Sequence, residues 1–214
     1  MNKINTIIWD WNGTLLDDLD ICIETINELL HQRKLPEIDK TFYLDVFGFP
    51  VKEYYQRIGF NFEQEPFDIP AHQYIESYKS KVKQCQLHQG VVELLQYFSE
   101  LGFIQLILSA SEQQSLEENL NYFGIRNWFT AVAGLDNHFA QSKKDIGVKM
   151  LNNLGIHPST CCLIGDTTHD AEVAQAMGCQ CILLSNGHQN AKKLLATGVP
   201  VVSHPEELKA FFKR

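Results

Sequence analysis

Short apolar runs alternate with helical patterns along most of this 214-residue chain. Residues 4–9, 103–108, 161–164 and 181–184 are largely apolar and bounded by turn residues, the mark of strands buried on both faces. Residues 128–133 and 199–202 carry the same pattern more weakly. Between the runs lie amphipathic helices. Val91, Leu94, Leu95, Phe98 and Leu101 make one apolar stripe, and Ile146, Met150, Leu151 and Leu154 another. Gly102, Gly155 and Gly178 follow helical stretches, where a left-handed cap residue belongs. Alternation of this kind predicts an α/β fold, a Rossmann-like parallel sheet with helices on both faces.

One stretch breaks the rhythm. Residues 17–88 show helical periodicity, with Leu16, Leu19, Ile23, Ile26 and Leu30 leading it, and no convincing strand. Of the 23 aromatic residues, 11 fall between Phe42 and Tyr78, enough for a small core or an aromatic-lined surface of its own. The pattern predicts an α/β core of residues 1–16 and 89–214, with residues 17–88 inserted as a helical cap over the strand ends.

Charge narrows the function. Lys and Arg total 18 against 26 Asp and Glu, a net charge of −8, whereas a nucleic-acid binder needs clustered cations. No apolar run approaches the ~20 residues that span a bilayer, and the first residues have no leader-like apolar stretch. A cytoplasmic protein, monomer or homodimer, with no nucleic-acid or membrane partner is the expectation. The six cysteines form no Cys-x-x-Cys pair and read as reduced, buried thiols.

Ligands of open α/β sheets bind beyond the carboxyl ends of the strands. Beyond the first run comes Asp10-Trp11-Asn12-Gly13-Thr14, beyond the second Ser109-Ala110-Ser111, and beyond the third Gly165-Asp166-Thr167-Thr168-His169-Asp170. Lys143 and Lys144 precede another helix, from which either could supply a cation to the same rim. Carboxylates gathered at one rim repel unless a cation joins them. Mg²⁺ takes one or two carboxylates plus waters and a phosphate oxygen. A lysine and a hydroxyl beside it complete a phosphate clamp, which leaves an Asp as candidate nucleophile.

These residues resemble the motifs of the haloacid dehalogenase superfamily, in its phosphoglycolate-phosphatase-like branch with a helical cap. Asp10-Trp11-Asn12-Gly13-Thr14-Leu15 is similar to the first motif, Asp-x-Asp-Gly-Thr-Leu. Ser109 matches the second, Lys143 (or Lys144) the third, and Gly165-Asp166-x-x-x-Asp170 the fourth. The resemblance implies that Asp10 attacks phosphorus to give an aspartyl-phosphate. It implies that Mg²⁺ is bound by Asp10, the backbone carbonyl of Asn12, Asp166 and Asp170. Ser109, with Ala110 beside it, and Lys143 would hold the phosphoryl oxygens of a small phosphorylated metabolite.

Position 12 departs from the pattern. The family's second Asp protonates the leaving group and activates water, and an asparagine amide does neither. That step is worth roughly 10²–10⁴-fold in rate. Either the leaving group needs little protonation, or another group such as His169 serves, or the protein binds a phosphometabolite with weak or no turnover. Deamidation at Asn12-Gly13 would restore an acid. The phosphonate-cleaving branch would need a cap lysine, for which Lys52, Lys79, Lys81 and Lys83 are available.

Overall fold

The computed structural model describes residues 3–135 and 142–212. Six strands form one parallel sheet: β1 (Thr6–Trp9), β4 (Ile104–Glu112), β5 (Ala131–Leu135), β6 (Cys161–Gly165), β7 (Gln180–Leu184) and β8 (Val201–Val202). Their spatial order is β5-β4-β1-β6-β7-β8. The chain winds outward from β1 in one direction through β4 and β5, then in the other through β6, β7 and β8. Strand order therefore reverses beside β1, which opens a crevice at the carboxyl edge there.

Alternation of side chains sends each strand's residues to two cores. Ile7, Trp9, Cys162 and Ile164 join one cluster with Leu94, Leu95 and Phe98 of α5 (Val91–Glu100) and Leu116 and Leu120 of α6 (Gln113–Tyr122). Ile8, Cys161 and Leu163 face the other. There they meet Ile146, Met150 and Leu151 of α7 (Lys143–Leu154) and Val173, Ala174 and Met177 of α8 (Thr168–Met177). Gly155 and Gly178 end α7 and α8 in the left-handed region, at φ 65° and 79°.

The segment after β1 carries α1 (Leu19–Gln32), α2 (Lys40–Val46), α3 (Val51–Arg57) and α4 (Asp68–Lys81). It builds its own core from Ile26, Leu30, Tyr43, Tyr54, Tyr55 and Phe60 among others. The chain enters and leaves this insertion through a ribbon absent from the sequence pattern. β2 (Leu16–Asp17) pairs antiparallel with β3 (Gln86–Leu87). Two residues per strand are too few to show a period of two.

β4 is longer than the apolar run behind it. It continues through Ser109 and Ser111 to Glu112, with a register irregularity against β5 after Leu108. Beyond Leu108 the strand is polar because it borders the crevice rather than the core. Among the described residues, no helix is long and apolar enough to cross a membrane.

Candidate active site

Register brings the polar strand ends to one level. Trp9 pairs with Ile107 on one side and Ile164 on the other. Asp10, Ser109 and Asp166 follow these residues at the same edge. All three are buried, as are Lys143 and Asp170. Carboxylate oxygens of Asp10, Asp166 and Asp170 lie within 4.8 Å of one another. The Lys143 ammonium donates to Asp10 Oδ1 at 2.5 Å and to Asp170 Oδ1 at 2.7 Å. Lys143 reaches the cluster because it shares a helix face with the buried Ile146, Gly147 and Met150, whereas Lys144 points to solvent.

The supports of each acid are specific. Thr14 Oγ1 donates to Asp166 Oδ1 at 3.1 Å, and the His188 backbone N–H to its Oδ2 at 2.6 Å. Asp170 Oδ2 accepts from the Thr167 N–H and hydroxyl and forms a capping box at the start of α8. Asp170 thus caps its helix with one oxygen and meets Lys143 with the other. Ser109 Oγ accepts the Ser111 N–H at 3.1 Å. Ser111 lies ahead of α6, whose N-cap is Glu112, and its hydroxyl donates to Asn12 Oδ1 at 2.7 Å.

Three buried carboxylates against one ammonium leave the cluster short of positive charge. Burial pushes the Asp166 carboxyl up to about 8, opposed by His188 and reinforced by Asp10 and Asp170. Burial likewise raises Asp10 to about 6, opposed by Lys143 and reinforced by Asp170. A set of hard oxygen donors with uncompensated charge fits a divalent cation such as Mg²⁺. The sign for stability follows from linkage. A carboxyl whose folded pKa is raised supports the fold below its unfolded value near 3.8 and loses that support as pH rises through about 8. Metal-free thermal stability is therefore expected to fall from pH 5 to pH 8, and added Mg²⁺ to restore more at pH 8 than at pH 5. Equal Mg²⁺ effects at both pH values, measured by calorimetry, would contradict this site.

Lys143→Met tests the same electrostatics from the other side. Removing one partner of a buried ion pair costs about 3–5 kcal/mol, and this cation has two partners. Metal-free stability at pH 7 is expected to drop by about that amount in urea titrations. The loss should shrink on acidification, as the orphaned carboxyls take up protons.

A second buried network adjoins the first. Asn12 Nδ2 donates to Asp18 Oδ2 and to the Tyr78 hydroxyl, both at 2.7 Å, and Tyr78 donates to the same Asp18 oxygen at 2.7 Å. Asp18 Oδ1 takes the Gly13 N–H at 2.9 Å and faces His188 Nε2 at 3.1 Å. His188 Nδ1 meets the Tyr43 hydroxyl at 3.1 Å. Burial opposes ionisation at both Asp18 and His188. Their mutual attraction prevails, so Asp18 is held down at about 2 and His188 up at about 9. Gly13, at φ 70°, leaves no room for a Cβ beside Asp166 and His188.

Asp18, Tyr43, Tyr78 and His188 escaped the sequence reading. His188 had a signal, because Ser185-Asn186-Gly187-His188 follows the apolar run 181–184 as the other site segments follow theirs. Asp18 had none among the neighbouring acids at a helix start. His169, the candidate substitute acid, stacks on Phe49 at 4.6 Å between centroids and sits 3.3 Å from Glu172.

Asp10, Asn12, Ser109, Ala110, Lys143, Asp166, Asp170 and His169 all line a cavity of about 790 Å³. Its opposite wall comes from the insertion, including Phe47, Phe49, Tyr74 and Tyr78. The loop after β7 fastens that wall to the sheet. Gln189 Nε2 donates to the Phe47 carbonyl and Lys193 Nζ to the carbonyls of Asp45 and Phe47.

The chain is similar to a probable phosphatase, IndB, of Dickeya dadantii, at 25% identity over 202 residues covering 92% of this chain and 87% of that one. A phosphoglycolate phosphatase of Synechococcus elongatus is 24% identical over 198 residues, 90% and 89% of the two chains. The haloacid dehalogenase-like family hydrolase SP0104 of Streptococcus pneumoniae has the same fold, with a TM-score of 0.85 over 100% of each chain at 22% identity. The pattern of the haloacid dehalogenase-like hydrolases matches residues 7–184, a span that takes in the acid cluster and Lys143 and stops short of His188, and the chain belongs to that family.

Proposed function

We propose that this hydrolase is a Mg²⁺-dependent phosphatase acting on a small phosphomonoester through an aspartyl-phosphate at Asp10. The observation that carries the reading is the Asp10 carboxylate, set in a cluster of three buried acids, 2.5 Å from the Lys143 ammonium, at the floor of a cavity closed by the insertion. Residues 17–88 act as the cap. Asp10, the Asn12 carbonyl, Asp166 and Asp170 would hold the ion. Bound there, Mg²⁺ supplies positive charge that offsets the repulsion between Asp10 and a phosphate dianion and polarises a phosphoryl oxygen. Ser109, Ala110 and Lys143 would orient the phosphoryl group, and the cap would exclude bulk water from it. Two relatives named as phosphatases support the activity class.

A second reading has its own observation. Both amide hydrogens of Asn12 are spent on Asp18 and Tyr78, so position 12 offers no proton to a leaving group. A protein that binds a phosphometabolite and turns it over weakly would look the same. Phosphate release from a panel of phosphomonoesters and acetyl phosphate, with Mg²⁺ and with EDTA, separates the two. Metal-dependent multiple turnover is expected. Tight Mg²⁺-dependent binding with no turnover would favour the binder.

A further inference from the structure

We propose that the site is selective for phosphomonoesters of phenols, the aryl group resting against the insertion's aromatic wall and departing as an aryloxide. This deepens the phosphatase reading and rests on it. Two independent features carry it.

The first is the missing proton. The Asn12 side chain has both N–H groups and its Oδ1 committed within the protein, to Asp18, Tyr78 and Ser111. The Tyr78 hydroxyl is committed to Asp18, to which it donates at 2.7 Å. Neither group is left to give a leaving oxygen a proton. Phenols ionise near pH 10 and alcohols about five units higher, so aryl esters tolerate that and alkyl esters do not.

The second is the wall facing Asp10. Phe47, Phe49, Tyr54, Tyr74 and Tyr78 line it, and Phe49 is 39% exposed. Phe47 meets Tyr54 edge-on at 5.2 Å, and Tyr74 stacks with Tyr78 at 6.1 Å, an arrangement that suits a flat apolar group. The cations of the same cavity face other partners. Lys79 bonds Glu112 at 2.8 Å, Lys52 lies over the Phe62 ring at 5.7 Å, and Lys83 over Tyr122 at 5.3 Å.

The step balances without an acid. An Asp10 carboxylate oxygen forms a bond to phosphorus as the phosphorus–aryloxide bond breaks, and the aryloxide keeps the electron pair. Water then attacks phosphorus, Asp10 departs as carboxylate, and the products are inorganic phosphate and a proton that neutralises the aryloxide.

The test measures kcat/KM with Mg²⁺ for substituted phenyl phosphates, 2-phosphoglycolate and acetyl phosphate. We expect about a tenfold rise per unit fall in phenol pKa, and phenyl phosphate ahead of 2-phosphoglycolate by about 100-fold or more. Phe49→Ala, at a half-exposed position that does not threaten folding, should raise KM for phenyl phosphate about tenfold more than for acetyl phosphate. Turnover of acetyl phosphate with a flat dependence on phenol pKa, with 2-phosphoglycolate equal or better, or with equal KM effects in Phe49→Ala, overturns the aryl selectivity alone. A flat dependence that steepens in His169→Ala would identify the histidine as the acid and overturn it too. Silence toward every compound overturns the phosphatase reading as well.

Discussion

Asp10→Asn is expected to abolish phosphate release, by about 10⁴-fold or more in kcat/KM, in a protein that stays folded. The amide keeps the shape of the carboxylate and one oxygen for Lys143, which still pairs with Asp170 at 2.7 Å. What disappears is the nucleophile. At pH 7 the wild-type carboxylate carries its charge against a pKa that burial pushes up to about 6, so neutralisation relieves the cost of the buried charge and the repulsion from Asp170, which together outweigh the lost attraction to Lys143. Metal-free stability should consequently hold or rise, which separates loss of chemistry from loss of structure. Acid-quenched wild-type protein should carry one phosphoryl group by intact mass, and the variant none. Residual turnover above about 1% of wild type would point to another nucleophile.

Asp10, Ser109 and Asp166 were legible in the sequence for a mechanical reason. Strands buried on both faces are nearly continuously apolar, so the polar residue that ends each run marks where the chain meets the crevice. Ile107, Ile164 and Trp9 pair in register, so three such ends had to meet. The choice between Lys143 and Lys144 was implicit in helix phase, because only position 143 falls on the stripe of Ile146 and Met150. The Asp18–His188 pair is another matter. Its members stand 170 positions apart, and each alone resembles an ordinary helix-start acid or loop histidine. Nor could spacing tell that Ser111 turns to Asn12 rather than to its own helix. The strands' apolar centres were likewise plain, while the two-residue ribbon at the base of the insertion and the polar end of β4 carry no periodicity to read.

That second network determines what an acid restored at position 12 can do. Asn12→Asp alone puts a carboxyl oxygen where Nδ2 now sits, 2.7 Å from Asp18 Oδ2. Two carboxylates at that distance cannot both ionise. Asp18 is held at about 2 by the His188 cation, so the new carboxyl takes the proton and gives it to Asp18 rather than to a substrate. The single variant is expected to gain less than about tenfold on alkyl phosphates and to lose about 1–3 kcal/mol of stability as the amide's donation to Tyr78 vanishes. Asn12→Asp combined with Asp18→Asn reverses the pair's polarity. An amide at position 18 can donate to the new carboxylate, and His188, without its counter-ion, falls back toward neutrality beside Tyr43. The double variant should gain about 10²–10³-fold in kcat/KM on alkyl phosphates and lose its steep dependence on leaving-group pKa. Rates for wild type, both single variants and the double variant close the cycle. Strong non-additivity would locate the block in Asp18. A single Asn12→Asp variant as active as the double would mean that Asp18 is no obstacle, and that asparagine at position 12 is the whole difference.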